Sequence, residues 1–279
     1  MNIDAHQHFW HYSPQEYGWI DDSMSDLQRD FLPKDLEKEL IADEIDGSIC
    51  VQARQSLQET RWLLELAQQH SFIKGVVGWV DLRSENIDEQ LREFADDPKF
   101  VGVRHVVQDE PDDLFLLRED FMRGIAKLHR YDLTYDILIF PKHLPTALEF
   151  VEKFPEQRFV LDHIAKPFIK TGVLEPWQPH MEQLAAFPNV YCKISGMVTE
   201  ADWQHWTPAE FYPYLDVIFE SFGPNRLLFG SDWPVCTVAA SYANVVDILS
   251  SYLEERSISP AEAQNIWGTT AIKFYNLNL

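Results

Sequence analysis

Cysteine is scarce in this chain, and its spacing excludes disulfide frameworks and cysteine-based metal sites. The 279 residues include three cysteines, Cys50, Cys192 and Cys236, which lie in or just after apolar runs and form no Cys-x-x-Cys pair. Isolated cysteines in such runs are typical of small buried hydrophobic side chains in a reducing cytosol.

Basic residues and long apolar runs are also few. Lys and Arg number 23 against 45 Asp and Glu, which gives a formal charge of −22. Phosphate-rich surfaces are bound through clustered positive charge, so we expect neither nucleic acid nor a membrane as a partner. The chain contains no run of 18 apolar residues, and its first eight residues include His and Asp instead of the start of a signal peptide. We therefore expect a soluble cytoplasmic protein.

The sequence contains no glycine-rich nucleotide-binding motif, no internal repeat and no Gly/Ser linker, so we expect one domain over residues 1–279. Short apolar runs alternate with amphipathic segments. The runs that predict strands are 3–8, 47–53, 73–80, 100–107, 133–140, 158–163, 190–195 and 226–231. The segments that predict helices are 32–45, 57–69, 86–95, 118–130, 144–154, 176–187, 208–222 and 241–255, with an additional C-terminal helix over 260–275. Eight alternations favour an α/β fold of the (β/α)8 TIM-barrel type over an open doubly wound sheet.

Nearly every predicted strand ends in a polar or aromatic site-type residue. In chain order these are His6 and His8, Gln52 and Arg54, Trp79 and Asp81, Arg104 and His105, Asp136, Asp162 and His163, Lys193 and Ser195, and Ser231 and Asp232. Side chains at the carboxyl ends of barrel strands build the active site, so this pattern disfavours a purely structural scaffold. His6 and His8 are spaced to point to the same side of a strand, which is a metal-ligand spacing.

Several blocks together resemble the amidohydrolase superfamily, and in particular its sugar-lactone hydrolases of the L-fuconolactonase and L-rhamnonolactonase type. The blocks are DAHQHFW at 4–10, VGVRH at 101–105, LDHIAKP at 161–167, CKISG at 192–196, VTEADW at 198–203 and FGSDWP at 229–234. The resemblance implies a barrel hydrolase that opens a sugar lactone to the aldonic acid with an activated water.

The resemblance also implies a metal site, with two departures from the two-metal members. The fifth strand lacks their histidine, and Arg104 and His105 occupy the fourth-strand position of their bridging lysine or glutamate. We therefore expect at most one divalent ion, zinc or a similar metal, held by His6, His8 and Asp232. Relatives that act on lactones can dispense with metal, so the ion is not required by the resemblance.

Asp232 is the predicted general base, because a carboxylate beside imidazoles can take a proton from the attacking water. Its alternative role is a helix N-cap. His163 is predicted to polarise the carbonyl or to stabilise the water, and its alternative is a buried core histidine. These two residues form the predicted catalytic pair.

Six further residues are predicted to contact the substrate: Arg104, His105, Lys193, Gln52, Trp19 and Trp233. Arg104 offers a planar fork of donors to polar groups, although it could equally pair with an acid. Lys193 lies within an apolar strand, so it is either paired in the site or directed elsewhere. The two tryptophans would hold the C–H face of a sugar, and the segment 9–31 has the length of a lid over the barrel mouth.

Two other functions stay open at this stage. A metal-dependent decarboxylase or amide hydrolase of the same superfamily would use much the same residues. A non-catalytic sugar- or metal-binding barrel would also present them, but it would not depend on Asp232 for turnover. The sequence leaves the sugar, the ring size and the oligomeric state open, a homo-oligomer included.

Overall fold

The computed structural model describes residues 1–278. Eight parallel strands are hydrogen-bonded in the order in which they occur along the chain. They are β1 Ile3–Gln7, β2 Gly47–Val51, β3 Ile73–Gly78, β4 Phe100–Val106, β5 Thr134–Leu138, β6 Phe159–Leu161, β7 Val190–Ile194 and β8 Leu227–Phe229. Each lies within a predicted segment and is one to three residues shorter, and segment ends such as His8, His163 and Ser231 lie in the loops that follow the strands.

A helix follows each strand, as predicted. The helices are α1 Pro33–Ala42, α2 Leu57–Gln69, α3 Ile87–Phe94, α4 Glu119–Leu128, α5 Leu144–Glu152, α6 Trp177–Ala185, α7 Tyr212–Phe222 and α8 Tyr242–Glu255. The additional C-terminal helix consists of α9 Pro260–Gln264, a π-helical turn Asn265–Thr269 and α10 Thr270–Phe274. Ser259 caps it from the position before Pro260, as the Ser-Pro pair predicted. No helix within residues 1–278 is long and apolar enough to cross a membrane.

Backbone contacts between the first and last strands close the barrel. Gln7 and Trp233 form a parallel bridge. The amide of Asp232 donates to the carbonyl of His6 at 2.8 Å, and the amide of His8 donates to the carbonyl of Trp233 at 2.7 Å. The predicted (β/α)8 barrel is confirmed, and this seam is the part of it that joins the two ends of the chain at one site.

The barrel interior holds its own hydrophobic cluster, separate from the larger one between the sheet and the helices. Strand residues in it meet the C-terminal helix, and its buried members are Ile3, Ala5, Ile49, Val51, Val77, Val101, Val160, Leu228, Ala271, Phe274, Tyr275 and Leu277. The C-terminal helix therefore plugs the barrel at the amino ends of the strands. The carboxyl ends are left as the open mouth, where barrel enzymes place their chemistry.

Candidate active site

Four side chains from three strand ends meet at the seam. The Nε2 atoms of His6 and His8 are 3.1 Å apart. Asp232 Oδ1 lies 3.3 Å from Nε2 of His8 and 3.7 Å from Nε2 of His6. Nε2 of His163 is 3.8 Å from the same oxygen. The structure therefore brings together all three predicted metal ligands and both predicted catalytic residues.

A bulge in β1 aims the two histidines inward. The pairing of β1 with β2 shifts between Asp4 and Gln7, so that one extra residue is accommodated on β1. Ala5 belongs to the barrel-interior cluster, and the next residue, His6, also reaches side chains across the barrel centre. In a regular strand, the neighbouring residues Ala5 and His6 would face opposite sides of the sheet, so the bulge is what lets both face the barrel interior. The two-residue repeat of a strand predicts that His6 and His8 share one side, as they do here, but it does not predict which side that is.

Left-handed backbone turns present the other two residues. Asp232 has φ 57°, and His163 opens a run of four consecutive residues with positive φ that ends at Lys166. Such angles are strained for residues other than glycine, and they cluster at functional sites. Gly196 makes room for the turn, because a Cβ at that position would lie 2.5 Å from Nδ1 of His163.

The donor set fits one divalent ion. Two imidazole nitrogens and a carboxylate oxygen lie within 4.8 Å of one another, and ligand atoms about 2.0–2.1 Å from a tetrahedral zinc would be separated by roughly 3.3 Å. His8 donates from Nδ1 to the carbonyl of Val51 at 2.8 Å, which leaves its Nε2 lone pair free for an ion. Nδ1 of His6 lies 3.4 Å from Asp162 Oδ1, where a carboxylate can fix the same tautomer. A second set of His6, Asp162 and His163 is compact enough, but Arg104 and Lys193 already pair with Asp162.

The electrostatics of the cluster favour an ionised Asp232 carboxylate beside the neutral imidazoles of His6 and His163, because burial lowers the pKa of both rings. Burial alone would raise the pKa of Asp232, but its interactions with His163, His8 and His6 hold that pKa below its usual range. Burial lowers the pKa of His163 to about 4, against the pull of Asp232 and Asp162. Nδ1 of His163 contacts Ser195 Oγ at 2.8 Å, which orients the ring.

A buried charge network lies beneath the cluster. Lys193 Nζ is 2.5 Å from Asp136 Oδ2 and 3.0 Å from Asp162 Oδ1, and all three side chains are fully buried. Arg104 Nη1 donates to Asp162 Oδ2 at 3.1 Å. Tyr275, from the end of the chain, donates to Asp136 at 2.9 Å. Two cations therefore neutralise two carboxylates in a water-excluded layer that supports the mouth.

Lys193 and Gln52 lie in this layer and away from solvent, although both were predicted to contact the substrate. Lys193 takes the paired alternative left open by the sequence. Gln52 is fully buried and accepts from Arg104 Nη2 through its backbone carbonyl at 2.5 Å. Both residues therefore hold other site residues in place, and neither presents its side chain to the cavity.

His105 and Trp233 also point away from the mouth. His105 stacks on Phe115 with ring centroids 4.8 Å apart, and its Nε2 lies 2.7 Å from Glu110. Trp233 is 4% exposed, with its ring 5.3 Å from that of Phe31. His105 follows Arg104 in β4, and neighbouring strand residues face opposite sides of a sheet, so only one of the two can face the mouth.

A cavity of about 800 Å³ opens above Asp232. Its wall includes His8, Arg104, His163 and Trp19 among the predicted site residues. The predicted substrate contacts did not include several other wall residues: Glu16, Arg54, Gln55, Lys166, Glu200 and Trp203. Lys166, Glu200 and Trp203 stand in the blocks that carry the family resemblance, and Arg54 follows a strand, so these positions were the available signal.

The predicted lid is a closed loop over this cavity. Trp10 and Phe31 exchange two backbone hydrogen bonds of 3.0 Å, which bring the ends of the 9–31 segment together. Glu16 pairs with Arg54 on the β2 loop. Trp19 is 37% exposed and lines the cavity. The loop is therefore fastened at its base and at its tip, with an aromatic ring on the cavity side.

Asp4 supports the seam from behind, and sequence reasoning missed it. Its carboxylate accepts from the Ser231 amide at 2.9 Å, from Ser231 Oγ at 2.6 Å and from Tyr242 at 3.1 Å. Burial raises the pKa of Asp4 to about 6 despite these bonds. The contacts fix the residue that immediately precedes Asp232, so Asp4 positions the candidate base indirectly.

Comparison with known proteins agrees with this architecture. An L-fucono-1,5-lactonase of Burkholderia multivorans is 42% identical over 287 aligned residues, with 99% of this chain and 96% of that protein covered. An L-fucono-1,5-lactonase of Burkholderia ambifaria is 37% identical, with 100% and 96% covered. The crystal structure of an amidohydrolase from Burkholderia multivorans with bound zinc has a TM-score of 0.96 and 42% identity, and each chain is covered completely.

More distant structures share the fold alone. A 2,6-dihydroxybenzoate decarboxylase from Rhizobium has a TM-score of 0.68 at 13% identity, which carries no information on activity. The amidohydrolase family itself matches residues 3–277, a span that begins at β1 and includes every residue of the seam. With its barrel, its strand-end histidines and the carboxylate after β8 all within that match, the chain belongs to the amidohydrolase family.

Proposed function

We propose that this protein hydrolyses a sugar lactone, with L-fucono-1,5-lactone as the first candidate, to the open-chain aldonic acid. The observation that carries the proposal is the Asp232 carboxylate, ringed by three imidazoles within 3.8 Å and open to a cavity of about 800 Å³. Full-length relatives at 42% and 37% identity named as L-fucono-1,5-lactonases support the choice of sugar.

Asp232 is the proposed general base. The histidines hold its carboxylate in the ionised form, so it can accept a proton as water attacks the lactone carbonyl carbon. Collapse of the tetrahedral intermediate breaks the bond between that carbon and the ring oxygen. The proton taken by Asp232 is then delivered to the ring oxygen, which leaves as a hydroxyl, and the products are one carboxylate and one proton.

His163 is the proposed partner on the carbonyl side. Its ring is neutral near pH 7, because burial lowers its pKa to about 4. If Ser195 donates to Nδ1, Nε2 carries the hydrogen and can donate it to the developing oxyanion. The alternative tautomer would instead accept a proton from the water, so the hydroxyl of Ser195 selects between the two roles.

His6, His8 and Asp232 would hold a single divalent ion such as zinc. Three protein ligands leave a position open, and a bound ion there would lower the pKa of water and polarise the carbonyl. Metal analysis of the purified chain should give no more than one equivalent per chain. Two equivalents at full occupancy would contradict this assignment, and full activity after thorough chelation would make the ion dispensable.

The cavity wall suits a polyhydroxylated ring with one apolar face. Arg104, Lys166 and Glu200 offer charged groups to hydroxyls, and Trp19 and Trp203 offer aromatic faces to C–H bonds. Arg104 keeps its predicted substrate contact in this proposal, since the residue lines the cavity as well as pairing with Asp162 in the buried network.

A pH-indicator assay over a panel of lactones tests the proposal, because each turnover releases a proton. The panel should pair L-fuconolactone with L-rhamnonolactone and L-galactonolactone, each as the five- and six-membered ring where stable. We expect the highest kcat/KM for an L-fuconolactone. Spontaneous opening is subtracted with a blank that contains buffer and lactone but no protein. Acid release no faster than that blank across the panel would reject lactone hydrolysis.

A further inference from the structure

Two buried cations flank His6, one at each ring nitrogen. Arg104 Nη1 lies 3.3 Å from Nε2, and Lys193 Nζ lies 3.2 Å from Nδ1. Both contacts are buried, and neither guanidinium nor ammonium can act as an acceptor. The imidazole of His6 is therefore held between two hydrogen-bond donors, which is an unusual environment for a metal ligand.

This arrangement leaves no form of His6 with a free lone pair at Nε2. A neutral imidazole has one lone pair. If that lone pair is on Nε2, it accepts the hydrogen of Arg104, while the hydrogen on Nδ1 faces Asp162 at 3.4 Å. If it is on Nδ1, it accepts from Lys193, and Nε2 carries a hydrogen. A metal ion at Nε2 must displace either the Arg104 contact or a proton.

The guanidinium is firmly held in this position. Arg104 is 4% exposed and also donates to Asp162 at 3.1 Å and to the Gln52 carbonyl at 2.5 Å. It cannot rotate away from His6 without weakening bonds made in a layer from which water is excluded. A dication would also be repelled by the fixed charge beside it.

We propose that Arg104 competes with a divalent metal for His6 and so weakens metal binding at the His6, His8 and Asp232 site. The guanidinium then supplies part of the positive charge that a fully occupied metal would otherwise supply. This inference rests on the proposed metal site, but it makes a separate claim about affinity. It also gives a physical reason why a chain of this kind could work with a weakly bound ion.

Titration with Co²⁺, followed by its visible absorption and by calorimetry, tests the inference on the full chain after dialysis against a chelator. Arg104→Gln keeps polar contacts but removes the charge, and we expect it to bind Co²⁺ at least about tenfold more tightly than the wild type. Arg104→Met should do the same. The matched control is Arg54→Gln, because Arg54 lines the same cavity but pairs with Glu16. Its affinity should stay within about twofold of the wild type.

Equal or weaker Co²⁺ binding by both Arg104 variants would overturn the proposal, and so would no detectable binding by any of the proteins. Should both variants fail to fold, crystals of the wild type with and without Co²⁺ decide the question. The 3.3 Å contact between Arg104 and His6 should be lost when the ion is bound, and its persistence would reject the competition. Lactone hydrolysis by the same wild-type preparation is measured in parallel, so failure of the competition and failure of the proposed function are distinguishable.

Discussion

Lys193 and Asp136 form a fully buried ion pair, with the ammonium nitrogen 2.5 Å from a carboxylate oxygen, directly beneath the metal-ligand cluster. The same ammonium reaches Asp162 at 3.0 Å, so one cation serves two acids. Buried pairs of this kind add little net stability compared with apolar residues, but each partner depends strongly on the other. The layer therefore holds His6 and Arg104 in place by mutual neutralisation.

Lys193→Met should destabilise the protein by about 3–5 kcal/mol, because two carboxylates would lose their buried cation. Urea unfolding followed by circular dichroism measures the loss. Tyr275→Phe removes only one 2.9 Å hydrogen bond to Asp136, and it should cost about 1–1.5 kcal/mol. Adding Asp136→Asn to the Lys193 variant should restore part of the stability. A Lys193→Met protein as stable as the Tyr275 variant would show that the ion pair is not needed.

Glu59 gives a pH dependence of the opposite kind to that of an ordinary ion pair. Its carboxylate accepts from the amides of Ala53 and Arg54 at 3.1 and 2.8 Å, yet burial raises its pKa from 4.5 to about 7. A group whose pKa is higher in the folded state than in the unfolded state contributes stability that is fully present below the unfolded-state pKa of 4.5. That stability is lost as the pH rises through the folded-state pKa of about 7. The full effect is at most about 3 kcal/mol.

Glu59→Gln should therefore gain stability relative to the wild type as the pH rises from 5 to 8.5, by about 1–3 kcal/mol. The amide oxygen can still accept a hydrogen bond, but it does not ionise. Urea unfolding at several pH values measures the difference. The exposed Glu149, which pairs with Lys153 one helical turn away, is the matched control, and its Gln variant should follow the wild type. Parallel curves for Glu59→Gln and the wild type would contradict the burial effect.

The alternation of apolar runs and amphipathic segments was enough to predict the barrel, because burial on both faces of each strand produces that pattern. The site was harder to predict. His6, His8, His163 and Asp232 follow from their positions at strand ends, but the bulge in β1 and the left-handed turn at 163–166 leave no clear mark in the sequence. Local backbone irregularities of this kind are stabilised by tertiary contacts.

Polar side chains at strand ends point in three different directions, and the sequence does not show which direction each one takes. Lys193 and Gln52 face the barrel centre below the mouth, His105 faces the layer between sheet and helices, and Arg104 reaches the cavity wall. The two-residue repeat predicts side-chain direction only along a regular strand. Strands β6 and β8 have just three residues each, so the repeat does not extend to the residues that follow them. Long-range partners such as Tyr275, which meets Asp136 across the barrel, are beyond any local pattern.

Trp19 lies on the lid with its ring 5.8 Å from that of Trp10, and it is the partly exposed aromatic residue on the cavity side of this loop. Trp19→Ala should raise KM for the best lactone by roughly 5- to 50-fold and change kcat by less than about threefold, because stacking on the sugar acts equally in the ground and transition states. Trp19→Phe keeps an aromatic face and should recover most of the affinity. Steady-state kinetics on both variants checks this, and an unchanged KM for Trp19→Ala would assign the ring to lid packing.

Asp232→Asn is the decisive substitution for the mechanism, because it keeps the size of the side chain and removes its basicity. We expect kcat to fall by about 10² to 10⁴, which is the usual contribution of general base catalysis. The wild-type rate should fall only at acidic pH, since Asp232 has a lowered pKa and His163 has a pKa of about 4. Asp232 acts as a carboxylate and His163 as a neutral imidazole. Activity is therefore retained above both pKa values and lost as the pH drops through them.

The pH profile and the variant must be considered together, because loss of a metal ligand could also reduce kcat. Metal content and circular dichroism of Asp232→Asn are therefore measured alongside turnover, and His8→Asn serves as a variant that loses a ligand but keeps the base. If His8→Asn retains much more activity than Asp232→Asn at equal metal content, the carboxylate acts as more than a ligand. A folded Asp232→Asn protein within about tenfold of the wild-type kcat would instead place the base elsewhere, with His163 as the next candidate, because its Nε2 is 3.8 Å from the same position.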